Sequence, residues 1–314
     1  MGFVKRHLKY VIKLNSGSFD LPINSKETFD DGSTVLTLDG LRSVASIQTV
    51  QGGLSPFVGR GLIQLWGMKP SNMAKLSTLG FDIARMGKNA LWVFAYNGDD
   101  SSNATQVFAG TIQTARLNYN AMPDVLLELD CYGAGDQQTQ AIPGTSVQGD
   151  GDVATMLQGI CAACNPPVTF VNKGVTAKLV NHAVGGSAFD QIDDICRAAP
   201  GIAYTLQGGV LTIWNANENI DGVSVDTGPD LGMVGYPEYN RMGFDITTQF
   251  NPEVQVGRFL NLKASQAPNA VSVPGIPSSN LFILMAEHEL SSEMPDGPWF
   301  THAHVSAAGV TARS

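Results

Sequence analysis

The chain has 314 residues, of which 43% are hydrophobic, 8% aromatic and only 15% charged, with 34 Gly and 16 Pro. A charged fraction well below the roughly 25% of ordinary domains, beside a normal apolar fraction, excludes a disordered tail and leaves enough apolar material for two or three packed units. Nineteen basic against 28 acidic residues, net −9, exclude a protein that grips nucleic acid through clustered Lys and Arg. No run approaches the ~20 apolar residues of a membrane-spanning helix. Met1 to Leu14 alternates polar and apolar residues where a signal peptide would be uniformly apolar, so a soluble, unprocessed protein without membrane insertion is expected. Cys131, Cys161, Cys164 and Cys196 are too few and too irregularly spaced for a disulfide framework and point to a reduced, cytosolic birthplace.

In chain order, His7 to Leu14 comes first, with Leu8, Tyr10, Ile12 and Leu14 on one face and His7, Lys9 and Lys13 on the other, the period-2 pattern of a half-buried strand. With Lys5 and Arg6 this strand is basic, while the rest of the chain carries the acid excess; such a split can serve subunit contacts. Further strands are predicted at Ser33–Leu38, Ala45–Val50, Gly61–Trp66, Ala90–Tyr96, Gln106–Leu117 and Asp124–Cys131. Gly, Asp, Asn and Pro separate them, and regularly spaced strands of this kind predict a barrel or sandwich. After Gly133-Ala134-Gly135 a helix is predicted from Asp152 to Cys164, capped by Asp150 or Asp152 and stopped by Asn165-Pro166-Pro167. A second helix, Ser187 to Ala199, has Ser187 as N-cap, with Phe189, Ile192, Ile195 and Cys196 as its buried stripe. A hairpin follows, Ile202–Leu206 and Val210–Trp214 around Gly208-Gly209. From about Asp226 strands return, at Phe244–Phe250, Val256–Ala264, Asn280–Leu290 and Trp299–Ala307, with an exposed loop at Pro268–Ser279.

Several groupings could carry chemistry. Cys161 and Cys164 form a CxxC at the end of a helix, where the macrodipole disfavours a thiolate, and no second pair exists, so packed thiols are expected. His302 and His304 share one side of a strand, and His288 with Glu287 or Glu289 could join them around a transition metal. No HExxH helix accompanies them, so no metal site is assigned. Asp193 and Asp194 point apart on a helix and read as a solvated face, and Gly149-Asp150-Gly151-Asp152 lacks the distal Glu of a calcium loop and reads as a helix-capping turn. Asn103-Ala104-Thr105 matches a glycosylation sequon that has no bearing without secretion. There is no GxSxG, P-loop or GxGxxG motif. No catalytic, cofactor-binding or metal residue is assigned, and no cofactor is expected.

The segments Ile63–Met68 (IQLWGM), Met73–Thr78 (MAKLST), Val107–Ile112 (VFAGTI) and Pro123–Gly133 (PDVLLELDCYG) resemble, in that order, the first tube-like domain of bacteriophage baseplate hub proteins. The match continues through Gly185-Gly186-Ser187, Leu211–Trp214 (LTIW), Tyr236-Pro237-Glu238, Phe250–Gly257 (FNPEVQVG) and His288–Trp299 (HELSSEMPDGPW). The resemblance implies a mainly β chain with an α+β insert: a first tube-like barrel over 1–135, a small α/β domain over 136–225 and a second barrel over 226–314. It also implies a non-enzymatic homotrimer whose two barrels per chain make a pseudo-sixfold ring, with the tail tube or tube initiator above and the spike below. Tape-measure, baseplate wedge or distal-tail proteins are further implied neighbours. DNA would pass through the acidic lumen without specific binding. The expected location is the virion tail baseplate, assembled in the host bacterial cytoplasm. The alternatives are a tail-tip cell-wall hydrolase, for which Glu287 and Glu289 near His288 are the only local candidates, and a distal-tail or receptor-binding module.

Overall fold

The computed structural model describes residues 5–14, 28–55, 57–77, 89–98, 100–120, 122–240, 243–263 and 279–309. All but the last residue of the loop expected at Pro268–Ser279 lies outside the described residues, as does Thr78 of the MAKLST segment. The chain forms two compact units, neither contiguous in sequence. One comprises Met1–Ile47, Arg60–Asp136 and Glu289–Trp299; the other comprises Gln48–Gly59, Gln137–His288 and Phe300–Ser314. The backbone therefore passes from one unit to the other five times.

The first unit holds β1 (Arg6–Lys13), β2 (Val35–Asp39), the start of β3 (Ser43–Val50), β4 (Gly59–Trp66), β5 (Asn89–Asn97), β6 (Thr105–Asn118) and β7 (Leu126–Tyr132). They pair in the order β3-β4-β7-β6-β5-β1-β2, and the β1–β2, β1–β5, β5–β6, β6–β7 and β4–β7 pairs are antiparallel. Alternation fixes the faces: Leu8, Tyr10 and Ile12 of β1, Leu91 and Val93 of β5, and Leu127 and Leu129 of β7 are buried. Each such side chain removed from water contributes about 1.5–3 kcal/mol. At Gly110 the backbone leaves no room for a side chain: a Cβ there would lie 2.5 Å from the Tyr132 carbonyl oxygen and 2.8 Å from the Phe108 ring. This is the glycine of the VFAGTI segment. A short helix, α1 (Pro70–Leu76), begins with Pro at its first turn, where the missing N–H costs nothing. Lys75 Nζ holds Asp30 at 2.9 Å, and Asn72 accepts from the Asp30 N–H at 2.9 Å.

After a five-residue helix, α2 (Gly135–Thr139), the second unit opens with an α/β portion. Its elements are β8 (Thr145–Ser146), β9 (Asp150–Asp152), α3 (Val153–Ala163), β10 (Thr169–Lys173), β11 (Lys178–Val180), β12 (Ala183–Val184), α4 (Ala188–Ala198), β13 (Ile202–Gln207) and β14 (Val210–Asn215). The Asp152 carboxylate accepts from the Thr155 N–H at 2.9 Å and caps α3, while Ser187 and Asp190 close a capping box on α4. Helix α3 buries Val153, Met156, Leu157, Ile160 and Cys161, and α4 buries Phe189, Ile192, Ile195 and Cys196. The sheet order is β10-β14-β13, with β10 parallel and β13 antiparallel to β14. Gly208 and Gly209 both take positive φ, 55° and 77°, as the tight β13–β14 turn requires. Gly159 stands exposed within α3 with nothing within 4 Å of a built Cβ. Gly159→Ala is therefore expected to raise stability by about 0.8–1 kcal/mol through helix propensity alone, read as a higher urea midpoint.

The same unit continues with β15 (Ser224–Thr227), β16 (Met233–Asn240), β17 (Gly243–Gln249), β18 (Phe259–Leu262), most of β19 (Leu281–Ser292) and most of β20 (Trp299–Ser306). The order is β16-β17-β20-β19, with β18 antiparallel to β19 and β15 parallel to β18. Phe244, Ile246, Leu260, Ile283, Ala303 and Val305 form its core. A second cluster packs Trp214 and Ala203 against Val256 of the FNPEVQVG segment. Among the described residues no helix is long and apolar enough to cross a membrane.

Candidate functional site

The residue types that could act chemically are dispersed. All four cysteines are buried and free. Burial pushes the Cys161 thiol up to about 12, with the neighbouring Cys164 adding to the shift, and it raises Cys131, Cys164 and Cys196 as well. Thiols held protonated and out of solvent are neither nucleophiles nor metal ligands. A disulfide-exchange reagent is accordingly expected to label no cysteine of the native chain within minutes and all four once urea unfolds it.

The three histidines near the C-terminus divide between two faces. His288 is buried, with Nδ1 2.9 Å from Thr301 Oγ1, and the Phe250 ring stands edge-on to it at 5.5 Å. His302 and His304 alternate with the core residues Thr301, Ala303 and Val305 and so face outward; their Nδ1 atoms lie 2.9 Å from Thr247 Oγ1 and 2.7 Å from Asp245 Oδ1. Among the described residues no three His, Cys, Asp or Glu side chains converge as metal ligands. Asp194 is exposed, as a solvated face requires, but Asp193 is not: it accepts from the buried Tyr204 hydroxyl at 2.5 Å and pairs with Arg197 at 2.7 Å. The i,i+4 spacing that brings Arg197 over Asp193 was available in the sequence, whereas the tyrosine contact depends on where the following hairpin docks.

What the structure does build is outward-facing sheet surface. In the first unit Arg60 makes a two-pronged contact with Asp130 (3.0 and 2.9 Å) and lies 5.9 Å from the Tyr132 ring centre, one ladder step from the Arg116–Glu128 pair at 3.4 Å. With Leu62, Gln64 and Thr114 these residues line a shallow groove of about 290 Å³. The groove's charges are paired with one another, Arg60 with Asp130 and Arg116 with Glu128. In the second unit the outward row crosses three strands, Glu238 opposite Asp245 opposite His304. The last strand of that sheet, β16, exposes Leu231 just ahead of it, Val234, Tyr236 and Tyr239. The sequence marked Tyr236-Pro237-Glu238 without revealing this exposure, because Gly235 and Pro237 break the alternation that assigns faces.

The chain is thus mainly β, with patterned outward sheet faces and four buried cysteines. Solved structures with the same fold are tail proteins. The tail protein of Neisseria meningitidis MC58 aligns over 97% of this chain and 98% of its own with a TM-score of 0.60 at 11% identity. The prophage MuSo2 43 kDa tail protein of Shewanella oneidensis aligns over 98% of this chain and 99% of its own with a TM-score of 0.55, also at 11% identity. No curated protein matches the chain in sequence. The family profile described as Baseplate hub gp41 matches residues 84–272, more than half of the chain. The chain belongs to the baseplate hub gp41 family of phage tail structural proteins, which places it in the virion tail.

Proposed function

We propose that the protein is the trimeric hub of a phage baseplate, a non-enzymatic ring that joins the threefold spike to the sixfold tail tube and lets DNA pass through its lumen. The observation that carries this reading is the hub-family match over residues 84–272 together with a tail-protein fold that spans 97% of the chain. Two barrel domains per chain would give three chains six similar positions, matching the tube without a sixth copy of anything. The net charge of −9 suits a lumen through which phosphate must slide without sticking. A charged fraction of 15% suits a molecule whose surface is largely subunit contact, since interface cores are depleted of charge. The tail tube or its initiator and the spike are the axial partners in this reading, and assembly takes place in the host cytoplasm.

Light scattering on the purified chain, with negative-stain images of the same sample, tests it. The expected result is three times the chain mass and a ring with a central hole. A chain that stays monomeric at tens of micromolar and captures neither tube nor spike protein would overturn it.

A further inference from the structure

Among the described residues, β16 and β2 are the outermost strands in the orders given above for their units and pair on one side only, as do β15 and the outer strands of the smaller sheets. Strand β16 pairs with β17 alone and β2 pairs with β1 alone. Strand β16 is exposed on both faces along most of its length, with Tyr236 at 74% and Tyr239 at 70% exposure. An unpaired edge of this kind is a template for another strand. Pro237 and the register shift between Val234 and Glu238 keep a long strand from adding to β16, so only a short one fits. Strand β2 has five residues, and Val35, Thr37 and Asp39 are its exposed positions.

Charge identifies the occupant. Glu238 stands directly opposite Asp245, a like-charge pairing that is unfavourable inside one chain, and among the described residues no cation pairs with Glu238. Behind β2 the outward face of β1 carries Lys9, opposite Asp39 of β2, and Lys13, opposite Val35; neither lysine makes an ion pair among the described residues. If β16 of one copy lay against β2 of another with the outward faces aligned, β1 would be two strand spacings, about 10 Å, from β16. That span is within the combined reach of a lysine and a glutamate side chain.

We propose that the β16 edge of one copy adds to the β2 edge of the next, with Lys9 and Lys13 of one chain neutralising Glu238 of its neighbour. This deepens the trimer reading and rests on it. Because the two edges differ, the contact is head-to-tail, the kind that closes a ring and does not stop at a twofold dimer.

The test is a charge exchange at exposed positions, followed by mass photometry over a dilution series, with circular dichroism and urea midpoints confirming that each variant folds. Glu238→Lys alone and Lys9→Glu/Lys13→Glu together are each expected to weaken assembly at least about tenfold, and the chain carrying all three substitutions should return to wild-type assembly. A wild type that trimerises while neither variant shifts the dissociation midpoint would overturn this contact and leave the trimer standing. Failure of the triple variant to recover would do the same. A wild type that is monomeric at every concentration would overturn both.

Discussion

Gly52→Ala is expected to destabilise the chain by about 3 kcal/mol, at the upper end of what overpacking costs. A Cβ at position 52 would sit 2.2–2.4 Å from three atoms of the Tyr204 ring, far inside van der Waals contact. Neither side can yield. The Gly52 N–H donates to the Tyr204 carbonyl at 2.7 Å and the Gln51 N–H donates to the Leu284 carbonyl at 2.9 Å, which pins the backbone on that side. Tyr204 is fully buried, and its hydroxyl is tied to Asp193, itself held by Arg197. The measurement is the urea midpoint of Gly52→Ala beside Gly159→Ala: the same one-carbon change should lower stability at the first site and raise it at the second. Equal effects at the two positions would show that the Tyr204 contact is not what decides.

The second large effect is a pH dependence with two opposed sources. Burial, reinforced by His302, lowers the His288 pKa from 6.5 to about 4. The unfolded chain therefore takes up a proton at this residue near pH 6.5 while the folded chain does not. The stability this group contributes is complete above pH 6.5 and is lost as the pH falls to about 4, on the order of 3 kcal/mol. Asp136 runs the other way, since burial raises its pKa from 3.8 to about 6. Its charged form is the disfavoured one, so stability is gained as the pH falls from about 6 to 3.8, on the order of 3 kcal/mol. Between pH 6 and 4 the two largely cancel in the wild type, and single variants expose each. Asp136→Asn should be more stable than wild type at pH 7 and equal to it at pH 4. His288→Gln should lose less stability on acidification than wild type. An unchanged acid slope in His288→Gln would remove the histidine from the account.

Elements with strong local determinants were legible in the sequence. Helices α3 and α4 announce themselves through Asp152 and Ser187 as caps and through apolar residues at helical spacing, and both run within one residue of the expected bounds. Strand β1 follows period-2 alternation, and Leu8, Tyr10, Ile12 and Leu14 are buried as residue order assigned them, although His7 on the other face is buried too. The elements missed are those with little local pattern. The β8–β12 and β9–β11 ribbons are two or three residues long and exist only because a partner segment lies alongside. Helix α1 was signalled by Pro70 alone, and Gly235 and Pro237 disguise β16. Strand β18 is shorter than Val256–Ala264, because Gln255–Arg258 turns before the strand starts. Of the site, the outward pairing of His302 with His304 could be read from Trp299, Thr301, Ala303 and Val305 on the alternate positions. The face taken by His288 required knowing that Thr301 Oγ1 lies 2.9 Å from it.

The five passages of backbone between the two units have a consequence for how the protein is made. The first unit contains residues from Met1 onward and is completed only by Glu289–Trp299, while the second needs both Gln48–Gly59 and Phe300–Ser306. On the ribosome, neither unit has all its strands until nearly the last of these segments has been synthesised. Pairing of distant segments is slow, and edges that wait for late partners are open to wrong ones. The chain therefore matures as one piece after synthesis. A nascent copy that has not reached Trp299 has neither unit complete.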